Sequence, residues 1–216
     1  MNTPNRTFAT IISYLFHPIW IPGLTTFYLI QLFSNQMIDE VNDLLMMITL
    51  LFTLALPLFS SILLKTTGVI SSLKMPTASE RRIPLFLSFS FFLIMTHLFN
   101  AIHIIPFDFT LIAFGASLSV LVALLALPFS KISIHTLSIG SVWGAIFSIS
   151  QSYQADLFYV LLLLSLLAGI IGHARISLNA HSHKQVYLGF LVGVLFQILS
   201  FLFQNSVYQI LNFRLF

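Results

Sequence analysis

Residues 157–204 read LFYVLLLLSLLAGIIGHARISLNAHSHKQVYLGFLVGVLFQILSFLFQ. Two apolar runs, 157–173 and 186–204, flank a short polar gap. Each run is close to the roughly 20 residues that a helix needs to cross a bilayer. Neither holds an Asp, Glu, Lys or Arg, whereas the gap between them holds Arg175, His181, His183 and Lys184. Such an arrangement predicts a pair of membrane helices with chemistry confined to their connection.

The same alternation runs outward through the chain. Of its 216 residues, 58% are hydrophobic and 7% charged. Soluble domains carry about 25% charged residues, so this chain cannot cover a soluble surface. The composition predicts an all-α integral membrane protein, a polytopic bundle of six to seven transmembrane helices in one domain spanning 1–216. Predicted spans are 8–33, 44–64, 84–104, 109–129, 136–151, 157–173 and 186–204. In the first, His17-Pro18 and Pro22 interrupt the run. Proline removes a backbone donor and kinks a helix, which predicts a broken or re-entrant segment. The fifth is short and rich in Ser and Gly, which suits the bundle interior, where small residues let helices approach closely. The N-terminus lacks a signal-peptide cleavage site, so the first span is expected to be retained. With no cysteine in the chain, disulfides, thiolate catalysis and Cys-based metal sites are excluded.

Counting crossings divides the polar segments between two sides. One side takes the N-terminus, 65–83, 130–135 and 174–185. It holds eight of the nine basic residues: Arg6, Lys65, Lys74, Arg81, Arg82, Lys131, Arg175 and Lys184. The other takes five of the six acids, and Arg214 is its one basic residue. Positive residues favour the cytoplasmic side, which predicts a bacterial cytoplasmic-membrane protein whose basic side faces inward.

Three strings lie on that basic side: Lys74-x6-Arg81, Ser133-x-His135 and Arg175-x5-His181. Charge near a membrane interior is costly and marks functional positions. Prearranged Lys and Arg stabilise the negative charge of a phosphoryl group in transfer. An imidazole can attack phosphorus or protonate a leaving oxygen, and a serine at a helix N-terminus suits phosphate oxygens. Taken alone, each cation reads more readily as a snorkelling interfacial anchor, and each histidine as hydrogen-bonded to a neighbouring carbonyl or to headgroup water. His17, His97, Asn100 and His103 sit inside apolar stretches, where helix-to-helix hydrogen bonds are the expected use and a place along a substrate channel is the alternative. His181 and His183 are two apart, do not share a helical face, and suggest no metal site.

The ordered spacings resemble the type 2 phosphatidic acid phosphatase family of membrane lipid phosphatases, whose pattern is K-x6-RP, then PSGH, then SR-x5-H-x3-D. Here the strings read Lys74-x6-Arg81-Arg82, Ile132-Ser133-Ile134-His135 and Ala174-Arg175-x5-His181-x3-Gln185. The resemblance covers about 60–204 and leaves the first span, about 8–33, outside. It implies phosphate binding by Lys74, Arg81, Ser133 and Arg175, a general acid at His135, and a nucleophile at His181. It implies no metal or other cofactor, and as partners membrane lipids and a lipid phosphate or pyrophosphate rather than nucleic acid. The chain departs from the pattern at Arg82, Ile132, Ile134, Ala174 and Gln185. Gln185 stands where the family's Asp would orient the nucleophile; a glutamine can accept its N–H but supplies no charge. Glu80, the one acid on the basic side, is the alternative counter-charge. A descendant that binds or transports lipid phosphates without turnover is the second reading, and a structural membrane subunit the third.

Overall fold

The computed structural model describes residues 3–33, 37–75 and 77–213, with side chains from Arg6 onward. Arg214 falls outside the described residues. Every regular element among them is helical. They are α1 (Thr3–Leu15), α2 (Ile21–Leu32), α3 (Asp39–Leu50), a π turn (Leu51–Ala55), α4 (Leu56–Thr66), α5 (Ala78–Ala101), α6 (Phe107–Ala126), α7 (Ile134–Tyr153), α8 (Phe158–Ser177), α9 (His183–Leu202) and α10 (Gln204–Leu211). Five helical segments are long and apolar enough to cross a membrane: Asp39–Thr66, α5, α6, α8 and α9.

The first apolar stretch breaks where its prolines predict. Pro18 has no N–H, and inside a helix its ring would collide with the carbonyl four residues back. The chain leaves helix after Leu15 and re-enters it at Ile21, with Pro22 in the tolerated first turn. The His17 ring helps close the turn, its Nδ1 accepting from the Ile19 N–H at 3.3 Å. At its far end Phe33 packs against Tyr153 and Phe109, with ring centroids 5.2 and 6.4 Å away. Phe109 lies in the first turn of α6 and Tyr153 ends α7, so the C-terminal end of α2 reaches that end of the bundle. The π turn between α3 and α4 precedes Pro57, which again cannot donate in a regular ladder; widening the preceding turn absorbs the misfit.

At the centre lies α7, packed on α2, α6, α8 and α9, with its broadest contact to α9. Both partners carry glycines four apart, Gly140 and Gly144 on α7 and Gly189 and Gly193 on α9. A methyl at Gly144 would sit 2.7 Å from the Val194 carbonyl oxygen, and one at Gly189 would sit 2.6 Å from that of Ser133. The two backbones are therefore in direct contact, which is how small residues hold membrane helices together. Two cross-links add to this. The Thr136 hydroxyl donates to the Val186 carbonyl at 2.9 Å, and the Gln197 amide donates from α9 to the Ile112 carbonyl of α6 at 3.0 Å.

Candidate functional site

The second and third strings are laced together at the site end of the α7–α9 pair. The chain reaches that end by a sharp reversal. After α8, the Asn179 backbone is left-handed, with φ of 53°. The Ala180 N–H returns to the Arg175 carbonyl at 3.1 Å and the Asn179 N–H to the Ile176 carbonyl at 2.9 Å. This is a Schellman closure with asparagine in the position that tolerates positive φ. Two residues on, Ser182 caps α9. Its side chain accepts from the Gln185 N–H, and the Gln185 side chain accepts from the Ser182 N–H at 3.2 Å. The Ser182-x-x-Gln185 capping box is a signal that motif matching overlooks: it places Gln185 under His181.

The His181 tautomer follows from its neighbours. Gln185 turns its amide oxygen toward the Ser182 N–H, which can only donate. The same oxygen lies 3.2 Å from His181 Nδ1, and the Lys131 carbonyl lies 3.0 Å from that nitrogen. Two acceptors at Nδ1 require a proton there, so the Nε2 lone pair is left uncommitted. The side chain is 7% exposed. Burial first, then the Arg175 and Arg81 guanidinium charges, push the imidazole down to about 4, while the bonds to Gln185 and Lys131 oppose them. At neutral pH His181 is a neutral imidazole with a nucleophilic nitrogen.

Around it the other predicted residues take distinct places. Ser133 is fully buried and caps α7, its hydroxyl oxygen accepting from the Thr136 N–H at 3.5 Å, and its backbone N–H donates to the Gln185 carbonyl at 3.2 Å. The Ser133 hydroxyl oxygen accepts in that cap, and among the described residues none takes its proton. The Ile134 side chain turns into a small apolar cluster with Ala123, Ile132 and Leu137. The two isoleucines, Ile132 and Ile134, thus serve packing. Arg175 ends α8 with its Nε buried and without a hydrogen-bond partner among the described residues. Arg81 spends its Nε on the Met75 carbonyl at 2.9 Å, leaving the terminal nitrogens of its fork. Lys74 stands apart: its side chain is exposed, and Arg175 and Arg81 are the cations acting on His181. Glu80 caps α5 and accepts from the Ser71 N–H at 2.7 Å and the Thr77 N–H at 3.2 Å. Its carboxylate is committed there and makes no bond to His181.

His135 faces the N-terminal segment. Its Nε2 lies 3.1 Å from the Ser13 carbonyl oxygen, an acceptor only, so Nε2 carries the proton. Its ring meets the His17 ring edge-on, 5.3 Å between centroids. The Arg175 charge acts on His17, His135 and His181 alike. The segment outside the resemblance therefore walls the cluster. Of the two uses that sequence reading leaves for His17, helix-to-helix hydrogen bonding or a substrate channel, its contact with His135 is the nearer to the second. The expected helix contact does occur at Asn100, whose amide donates to Asn212 at 3.2 Å, while His97 is exposed. Beside His17 an apolar groove of about 810 Å³ runs along α1, α2 and α3, lined by Tyr14, Ile19, Trp20, Leu24, Phe27 and Leu50 among others.

Among the described residues the cluster thus offers two uncommitted imidazole lone pairs, on His181 Nε2 and His135 Nδ1, two guanidinium groups and several N–H and O–H donors, with no carboxylate bonded to it. Among the described residues no three His, Asp or Glu side chains converge to hold a metal ion. The chemistry suits an anion with an electrophilic centre. No family model, curated protein or solved structure matches this chain.

Proposed function

We propose that this protein is a membrane phosphatase acting on a lipid phosphate or pyrophosphate through a phosphohistidine, as its resemblance to the type 2 phosphatidic acid phosphatases implies. One observation carries the reading: His181 has Nδ1–H pinned by two carbonyl-type oxygens, its Nε2 lone pair uncommitted, and two guanidinium charges acting on it. A structural histidine needs only one such bond, and two half-buried cations, with no carboxylate bonded to them among the described residues, call for an anion.

In the proposed reaction Arg81 and Arg175 hold the phosphoryl oxygens, with the Ser133 hydroxyl as a further donor. The Nε2 lone pair of His181 forms the N–P bond as the P–O bond to the leaving group breaks. The departing oxygen keeps the electron pair and takes a proton from Nδ1 of doubly protonated His135, whose Nε2–H stays on Ser13. Burial first, then the Arg175 charge, push His135 down to about 3, so this step draws on the small doubly protonated fraction, which the phosphate's own negative charge increases. Neutral His135 then takes a proton from water as the water oxygen attacks phosphorus, and the N–P pair returns to His181. Positive charge on phosphorylated His181 is met by the Lys131 and Gln185 oxygens, two dipoles in place of a carboxylate. In serine proteases, losing the analogous aspartate costs about 10⁴-fold, so a slow enzyme is expected. The lipid's apolar chain would lie in the groove along α1–α3. The charge bias favours the cytoplasmic face for the site; a reporter fused into the 65–83 loop and found outside would reverse that assignment.

The test is phosphate release by the purified chain in detergent from phosphatidic acid and polyprenyl pyrophosphate. His181→Ala is expected to lower release by 10³-fold or more, on the order seen when a nucleophile is removed. Release from wild type no greater than from His181→Ala across both lipids ends the enzyme reading. Phosphate binding without turnover is the second reading, favoured by the Nε2–H of His135 already being committed to Ser13. It predicts anionic-lipid binding that needs Arg175 and survives His181→Ala.

A further inference from the structure

His17 is the one histidine of the cluster that the resemblance leaves without a role, and its surroundings define what it can do. The Ile19 backbone N–H points at its Nδ1 at 3.3 Å. An N–H can only donate, so Nδ1 holds the lone pair and Nε2 carries the proton. No described residue accepts from that Nε2–H. The ring is held against His135 at 5.3 Å. The adjoining helix turn is tied to the same histidine through the Ser13 carbonyl. Ser13 also has a buried hydroxyl without a partner among the described residues. A neutral imidazole fixed by its inner nitrogen and held against His135, with the Arg175 charge acting on both rings, is a preset hydrogen-bond donor. It cannot act as an acid in this tautomer, since giving up Nε2–H would leave an imidazolate.

We propose that His17 is a phosphate-binding residue, donating Nε2–H to an oxygen of the phosphoryl group held by Arg81 and Arg175, so that the N-terminal segment completes the anion site. The role rests on the phosphate-site reading above, but not on turnover. It explains why the first helix breaks at this point: the turn that Pro18 enforces presents the ring to the site instead of burying it along a helix. Hydrogen bonds to a charged partner contribute about 1.5–3 kcal/mol, or roughly 10- to 100-fold in affinity.

Calorimetric titration of orthovanadate and of inorganic phosphate into the full chain in detergent micelles tests this with two substitutions. His17→Asn puts an amide oxygen near the position of Nδ1. It can keep the Ile19 bond, as asparagine does in turns, but it does not reach outward. His17→Gln puts an amide N–H near the position of Nε2. Binding is expected to weaken about 10- to 100-fold in His17→Asn and to stay within about threefold of wild type in His17→Gln. Wild-type affinity in His17→Asn, or equal loss in both, overturns the proposal and assigns His17 to the turn alone. Anion binding that follows the expected order without any lipid hydrolysis leaves His17 in place and removes the phosphatase reading. A wild-type chain that binds neither anion removes both.

Discussion

Two regions of this bundle handle apolar surface in opposite ways. Between α7 and α9, four glycines bring the backbones into contact, and the strings that carry His135 and His181 are joined by a main-chain hydrogen bond from Ser133 to Gln185. Between α1, α2 and α3, side chains hold the helices apart around an apolar groove of about 810 Å³, and two of the three segments are interrupted by proline effects. The contrast separates two requirements. A nucleophile needs its lone pair fixed to within a fraction of an ångström, which rigid backbone contact provides. A flexible hydrocarbon chain needs only space and apolar walls.

The largest effect is expected from breaking the tight side. Gly193→Leu would drive a side chain into the Leu137 carbonyl and the Ser141 backbone. Separating α7 from α9 should cost on the order of 3 kcal/mol and abolish phosphate release, because Lys131 and Ser133 would no longer hold His181 and Gln185. Thermal melting in detergent should fall well below that of His181→Ala, which removes chemistry and leaves the interface. A Gly193→Leu protein with wild-type melting and activity would show that the close contact does not set the site.

Gln185→Asp sharpens the same side without breaking it. His181 lies near 4 because burial and two guanidinium groups disfavour its charged form. A carboxylate beside Nδ1 favours that form, so its pKa should rise by about one unit or more. Since attack needs the neutral ring, the acid limb of kcat/KM should move up from near pH 4. The rate above that limb should increase on the order of ten- to a hundredfold, part of what a true aspartate supplies. An unmoved limb would mean that Gln185 is not the group governing His181. Stability carries the same sign. His181 titrates lower in the folded chain than its ordinary 6.5. The unfolded chain therefore binds more protons between pH 6.5 and 4, and stability falls as pH drops through that window. The aspartate variant should lose less.

The smallest effect belongs to the loose side. A methyl at Gly23 meets only Leu50 Cδ2, at 3.1 Å. Gly23→Leu should therefore fold normally while filling the groove. KM for long-chain lipid phosphates should rise by about tenfold, equivalent to about 1.4 kcal/mol, with short-chain substrates unaffected. A rise that ignores chain length would move the lipid tail elsewhere.

Much of this was legible before any coordinates. Apolar runs of about 20 residues located the long helices, Pro18 located the break, and the Ser- and Gly-rich stretch marked the interior helix. Common spacing drew Arg81, Ser133, His135, Arg175 and His181 to one end, where four of the strings' charged or titrating groups do act on one another. Lys74 was grouped with them by its spacing to Arg81, yet it is exposed on the loop ahead of α5. Six intervening residues fix a distance along the chain but not the direction in which a loop turns. Gln185 read as a deficient aspartate; its second bond, to the Ser182 N–H, belongs to a helix cap as much as to a nucleophile.

What the sequence by itself determined is the solvent, the helices and the residue types of the site. Hydrophobic runs, prolines and capping residues act locally, and local rules can be read in order along a chain. Only the tertiary structure decided that Ser13 would meet His135 across 122 positions, and that Lys131 would fix a proton on His181 across 50. Those bonds depend on how helices pack, and that packing is set by glycines and side-chain shapes that meet only in three dimensions.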